Sequence, residues 1–210
     1  MGARMHFNGS ATVALLQSAA VVDPKQLEPE RVLPLRRAQY DQMVKAGIFD
    51  DDERVELLRG VLVEMSPQSP PHADASALLT ELLIRALPLT AQVRCHLPFA
   101  ASDVSEPEPD VAVYPARKFG HDHPDKAFLM IEVADSSLRK DRGIKSEIYA
   151  EAGVPEYWIV DLVHAAVEVR TEPADGHYTR TVTYGRGERI ALVAFPDIVL
   201  AVDEFLPPPA

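Results

Sequence analysis

The sequence predicts a mixed α/β (α+β) domain, and three features of it carry that reading. Two long stretches place apolar residues at helical spacing, HADASALLTELLIRALP and DSSLRKDRGIKSEIYAEAG. Three strand-like runs lie between them and a fourth, EYWIVDL, follows, so the order is helix, three strands, helix, strand. PDVAVYP and AFLMIEVAD are nearly continuous in apolar character, as strands covered on both faces are.

Residues 1–31 are weakly patterned and end in DPKQLEPE, which reads as a flexible N-terminal arm. A single domain is expected over 32–206, and the PPPA end, 207–210, reads as a disordered tail. LRRAQYDQMVKAGIF has Leu35, Ala38, Tyr40, Met43, Val44 and Ile48 near helical spacing, with Gly47 as its stop. In ERVELLRGVLVEMSP the period changes to two, with Arg59-Gly60 as the turn of a β-hairpin that Pro67, Pro70 and Pro71 end. The first long helix should run from His72 to Pro88, and the second should close at Gly153. AAVEVRTEP, HYTRTVTYG, ERIAL and DIVLAVDEF, separated by Gly, Pro and Asp, are expected to form a C-terminal β-meander extending the sheet.

Cys95 is the one cysteine, which excludes an intramolecular disulfide and a zinc site with several thiolate ligands. Any metal must therefore be held by oxygen or imidazole. No stretch approaches the roughly 20 apolar residues of a bilayer span, and ATVALLQSAAVV has neither the flanks nor the cleavage site of a secretory signal. A cytoplasmic location without membrane association is the expectation. The net charge of −11 works against broad attraction to nucleic acid, although a carboxylate metal site is itself acidic until its ion binds.

Asp110 opens one apolar strand and Glu132 sits inside another, among Phe128, Leu129, Met130, Ile131 and Val133. An unpaired ionised carboxylate there would cost several kcal/mol, so Glu132 needs a cation, a proton or a metal beside it. A buried ion pair with a structural Arg or Lys is one solution. The other is a shared divalent ion, if neighbouring strands bring Asp110 and Glu132 to one sheet face. Oxygen ligands of this kind suit Mg²⁺ or Mn²⁺, the arrangement that phosphodiester hydrolysis uses.

SEPEPDVAVYP and FLMIEVADSSLRKDRGIKSEIYAEAGVPEYWIVDL, with RVELLRGVLVEMSPQSPPHA upstream, resemble the Uma-two family of restriction-endonuclease-type proteins over about residues 35–205. The family resembles the PD-(D/E)XK nuclease superfamily, which implies a restriction-endonuclease-like αβββαβ core with a mixed central sheet. The resemblance implies Asp110 and Glu132 as catalytic acids and metal ligands. The position two residues after Glu132, where the superfamily signature has lysine, is Ala134. In its place the resemblance implies Lys145, in the following helix, as the residue that orients the attacking water and offsets charge on phosphate. On spacing alone Lys145 reads as a solvated helix-face lysine, with Arg139, Lys140 and Arg142 competing for the role.

Glu56 and Glu64, on the two arms of the hairpin, are alternatives for an additional acid, and the resemblance favours Glu56. His72, at a helix start, is a further candidate for substrate contact or proton transfer. Arg139, Lys140 and Arg142 form a basic cluster suited to nucleic-acid backbone contact. His121 and His123 in GHDHPD look like a ligand pair, but the sequence offers no partners for them. The expected function is a Mg²⁺- or Mn²⁺-dependent endonuclease acting on DNA, as a homodimer where both strands are cut. The alternative is a catalytically silent binding or regulatory module on the same fold.

Overall fold

The computed structural model describes residues 32–50 and 53–208, so the expected N-terminal arm and the last two residues of the expected tail lie outside the described residues. Helix α1 (Arg37–Lys45) buries Tyr40, whose hydroxyl donates to the carbonyl of Val55 at 2.8 Å and fastens the helix to the hairpin. The hairpin pairs β1 (Val55–Leu58) with β2 (Val61–Glu64) in antiparallel register, Leu58 opposite Val61. Its two-residue turn has Arg59 at φ 49° and Gly60 at φ 80°, the doubly left-handed geometry that matches strand twist. A Cβ at Gly60 would collide with Pro34, so glycine is required there for space as well as for φ.

Helix α2 (Pro70–Ala86) begins two residues earlier than the sequence indicates. Pro70 and Pro71 do not end the preceding segment; they form the first turn of the helix, behind the N-cap Ser69. The first helical N–H groups have no intrahelical acceptor, so proline loses nothing there and its fixed φ already suits a helix.

The αβββαβ core runs through α2, β3 (Ala91–Cys95), β4 (Val111–Pro115), β5 (Leu129–Ala134), a helical segment α3 (residues 138–151) and β6 (Glu156–Asp161). In the six-stranded sheet, order β3-β4-β5-β6-β7-β8, only β5 and β6 are parallel, because α3 crosses over between them. β7 (Ala166–Ala174) and β8 (His177–Tyr184) extend it antiparallel, as the meander reading expects. The last two strands depart from that reading. β9 (Arg189–Ala191) and β10 (Val199–Ala201) pair only with each other. Ile190, Leu192, Leu200 and Phe205 instead pack into the core with Trp158, so apolar burial draws this segment over the sheet face.

The period of two sorts the sheet into faces. Val111, Val113, Leu129, Ile131 and Val133 pack with Ala75, Leu79 and Leu83 of α2. Ala112, Tyr114, Met130 and Ala134 face the other way, toward Tyr149 of α3. Both layers cover β5 completely, which explains its unbroken apolar run and leaves Glu132 as its exception.

α3 is not one regular helix. An α-helical turn (Leu138–Lys140) passes into a π-helical turn (Asp141–Lys145) and then into α-helix again (Ser146–Glu151). Both Asp141 and Lys145, the ends of the wide turn, are buried. Such turns often occur at functional sites. Among the described residues no helix is long and apolar enough to cross a membrane.

Leu79 is fully buried between α2 and the sheet, whereas Leu89 is 98% exposed. Leu79→Ala should lower unfolding free energy by about 2–5 kcal/mol in urea titrations. Leu89→Ala should stay within about 0.5 kcal/mol of the native protein. Equal effects would contradict the assignment of the α2 face.

Candidate active site

Asp110 immediately precedes β4. Continuing the register in which Val111 faces Ile131, it falls opposite Glu132 and on the same sheet face. Its Oδ2 accepts the Val133 amide at 2.7 Å and lies 3.2 Å from His72 Nε2, while Oδ1 lies 3.4 Å from His96 Nδ1. Burial disfavours its charge, but the two histidines and the amide outweigh that and hold its pKa well below the usual carboxylate range. His72 is placed by the first turn of α2, and although burial opposes its charge, Asp110 raises its pKa.

Glu132 Oε1 accepts from Lys145 Nζ at 2.9 Å and from Tyr149 Oη at 2.6 Å. Its Oε2 accepts no hydrogen bond among the described residues. Burial pushes the Glu132 carboxyl up, Lys145 pulls it down, and the neighbouring Asp110, Asp141 and Glu56 push it up again. Lys145 is 2% exposed and reaches a second acid, Glu56 Oε2, at 3.1 Å. Burial works against its ammonium, but Glu132 and Glu56 reverse the sign and keep it charged. Lys145 thus reaches from the π-helical turn onto the sheet face where Ala134 also lies, two residues after Glu132.

Of the two hairpin acids, the structure brings Glu56 to this cluster and leaves Glu64 exposed, opposite Val55. Glu56 is fully buried. It accepts from Lys140 Nζ at 2.7 Å and from the Glu108 amide at 3.3 Å. The basic trio separates: Lys140 lines the cavity, Arg139 is exposed, and Arg142 is held by Asp161 at 2.9 Å and Glu168 at 2.6 Å.

Two residues join the site that sequence reasoning missed. Asp141 is buried, with Oδ2 accepting from Ser137 Oγ at 2.5 Å and Oδ1 without a partner among the described residues, and burial raises its pKa. Its one sequence signal is its place four residues before Lys145. His96 follows β3 at φ 48°, a left-handed conformation that is uncommon outside glycine and found at functional sites. It is held by its amide, which donates to the Pro109 carbonyl at 3.1 Å.

Asp110, Glu132, His72, Lys140, Asp141 and Lys145 line one cavity of about 50 Å³. That volume is ample for a small hydrated ion, since a water needs only about 10–15 Å³ of such space. The Glu132 oxygen that accepts no hydrogen bond among the described residues and an ionised Asp110 make a hard, oxygen-rich donor set, which fits a cation of the Mg²⁺ or Mn²⁺ kind. The dense negative charge, set against one buried ammonium, favours such an ion.

A solved structure described as a putative nuclease belonging to DUF820, from Anabaena variabilis ATCC 29413, matches with a TM-score of 0.65 at 13% identity. The match covers 79% of this chain and 96% of that one, and it establishes likeness of fold. No curated protein shows a significant sequence match. The model of the Uma2 family, described as putative restriction endonuclease, matches residues 37–203. The chain therefore belongs to the Uma2 family, and its fold is of the restriction-endonuclease-like kind.

Proposed function

We propose that the protein is a divalent-metal-dependent endonuclease that hydrolyses phosphodiester bonds of DNA, with Mg²⁺ or Mn²⁺ held by Asp110 and Glu132. The observation that carries this reading is the contact of Lys145 Nζ with Glu132 Oε1 at 2.9 Å, on the sheet face that Asp110 shares. It places two acids and a cation together, although the lysine comes from a helix instead of the strand. Family membership and the fold likeness to a protein described as a putative nuclease support the same class of chemistry.

When bound, the ion supplies Lewis-acid charge, making water a better nucleophile at neutral pH and offsetting charge that builds on the phosphate. The chain's own residues do the rest. Asp110, kept ionised by His72, His96 and the Val133 amide, is a fixed anionic ligand. Tyr149 and Lys145 occupy one oxygen of Glu132, which leaves the other available to the ion. Lys145 is too firmly protonated to act as a base; it serves as a donor that orients water and stabilises a phosphate oxyanion. The cavity opens to solvent, so a phosphate of a polymer lying across its mouth can reach the acids. Arg54 and Lys140 line that cavity and are the cations nearest such a backbone. Cytoplasmic location and a homodimer, one copy per strand, complete the reading.

A second reading rests on a specific observation. Lys145 bonds both Glu132 and Glu56, so a closed buried ion network accounts for Glu132 without any ion, as a binding module on a nuclease fold would need.

Metal-dependent cleavage of supercoiled DNA separates the two readings. The native protein should nick it in Mg²⁺ or Mn²⁺, and Lys145→Met should slow this by about 10²–10³-fold, the range for losing one charge-stabilising donor. Folded Asp110→Asn and Glu132→Gln should be inactive; activity unchanged in these variants sinks the assignment. Mg²⁺ at about 100 times its Kd should stabilise the native protein by about 2.7 kcal/mol and leave Asp110→Asn unmoved. The network itself makes a further demand. Lys145→Met should destabilise by about 3–5 kcal/mol because it strands buried carboxylates. Adding Glu132→Gln should recover part of the loss; an additive double variant would show that the pair is not coupled.

A further inference from the structure

A second cluster of ligand-type side chains lies outside the Asp110–Glu132 cavity, in a separate cavity of about 310 Å³ whose lining residues are all different. Asp41 comes from α1, Glu106 from the chain before β4, and His123 from the GHDHPD segment between β4 and β5. One ligand atom from each lies within 4.8 Å of the others. His123 Nε2 is 3.9 Å from Glu106 Oε1.

Glu106 gives the cluster its physical meaning. Its backbone is pinned to β1, the amide donating to the Leu57 carbonyl at 2.7 Å, so its side chain is held in place at 2% exposure. Among the described residues its Oε2 has no hydrogen-bond partner. The cation facing it, Arg37, stands 3.7 Å from Glu106 and 4.0 Å from Asp41, too far to hydrogen-bond either, and among the described residues its Nε has no partner. Asp41 lies within ligand distance of the same carboxylate. Two close carboxylates and an imidazole, facing one imperfectly placed guanidinium, have the donors of a cation site and lack its charge.

We propose that Asp41, Glu106 and His123 form a second metal site, distinct from the nuclease-type site, that binds a divalent transition ion of the Zn²⁺ class. Imidazole with two carboxylates suits such an ion better than Mg²⁺, which prefers oxygen and keeps its waters. The three ligands come from segments far apart in sequence, so the ion joins α1 and the 116–128 connection to the sheet. His121 lines the same cavity and is within the set of groups available for a fourth position. The GHDHPD motif finds its partners here, and they are not adjacent in sequence.

The test uses the full chain after chelator treatment, with Zn²⁺ titrated by calorimetry and Co²⁺ by its visible ligand-field absorption. The native protein should bind Zn²⁺, and His123→Ala and Asp41→Asn should weaken it by at least about tenfold, a loss already reached by outer-shell changes at metal sites. Glu106→Gln should do the same, and the Co²⁺ band should weaken in His123→Ala. Asp110→Asn, which removes a ligand of the nuclease-type site, should still bind one Zn²⁺ and keep a Co²⁺ band that His123→Ala then abolishes, whatever becomes of DNA cleavage. Arg37→Gln should tighten binding by removing the competing cation. The His123 side chain is 39% exposed, so His123→Ala should melt like the native protein without metal. Absence of Zn²⁺ binding, binding indifferent to His123→Ala and Asp41→Asn, or binding lost in Asp110→Asn overturns the proposal.

Discussion

A single carboxylate, Glu132, sits inside a strand that both covering layers bury completely, and the surrounding structure is arranged to hold it there. Charge in such a place is tolerated only beside a partner. Lys145 and Tyr149 supply that partner from α3, Glu56 supplies a second anion for the lysine from the hairpin, and Lys140 in turn meets Glu56. Hairpin, central strand and crossover helix are thereby joined through one charged network. Its components come from parts of the chain that no local interaction would bring together.

The π-helical turn makes the network geometrically possible. Where the superfamily signature has a strand lysine, this chain has Ala134, and a cation must enter from the layer above. The wider turn over Asp141–Lys145 puts both of its ends inward, against the sheet face that carries Asp110 and Glu132. Helical irregularity, a missing lysine on the strand and a fully buried lysine on the helix are thus connected features. Asp141, with one buried oxygen unpartnered, adds to the negative charge and to the reason a divalent ion suits the cavity.

Much of this was legible in the chain before its structure. Strand parity alone places Asp110 and Glu132 on one face once β4 and β5 are paired, and apolar flanks mark Glu132 as a charge needing a partner. The αβββαβ order follows from changes of hydrophobic period. Lys145 emerged only through family resemblance, because a lysine four residues past an aspartate on a helix has no local mark of burial. Spacing alone did not separate Glu56 from Glu64, although the resemblance favoured Glu56: both alternate with apolar residues on a hairpin, and contact with Glu106 and Lys145 tells which arm is covered. His96, Asp141 and the partners of His123 depend on long-range packing. Pro70 and Pro71 misled because proline both ends segments and begins helices, and β9 and β10 because short alternating runs do not say which edge or face they join.

The most direct measurement is a crystal structure of the native protein grown with Mn²⁺, with data collected to locate the ion by its anomalous scattering. The nuclease reading predicts a peak between Asp110 and Glu132, touching the Glu132 oxygen that Lys145 and Tyr149 leave free. A saturated crystal with no ion there, and with Lys145 alone satisfying Glu132, would contradict it and leave a closed ion pair on a nuclease fold.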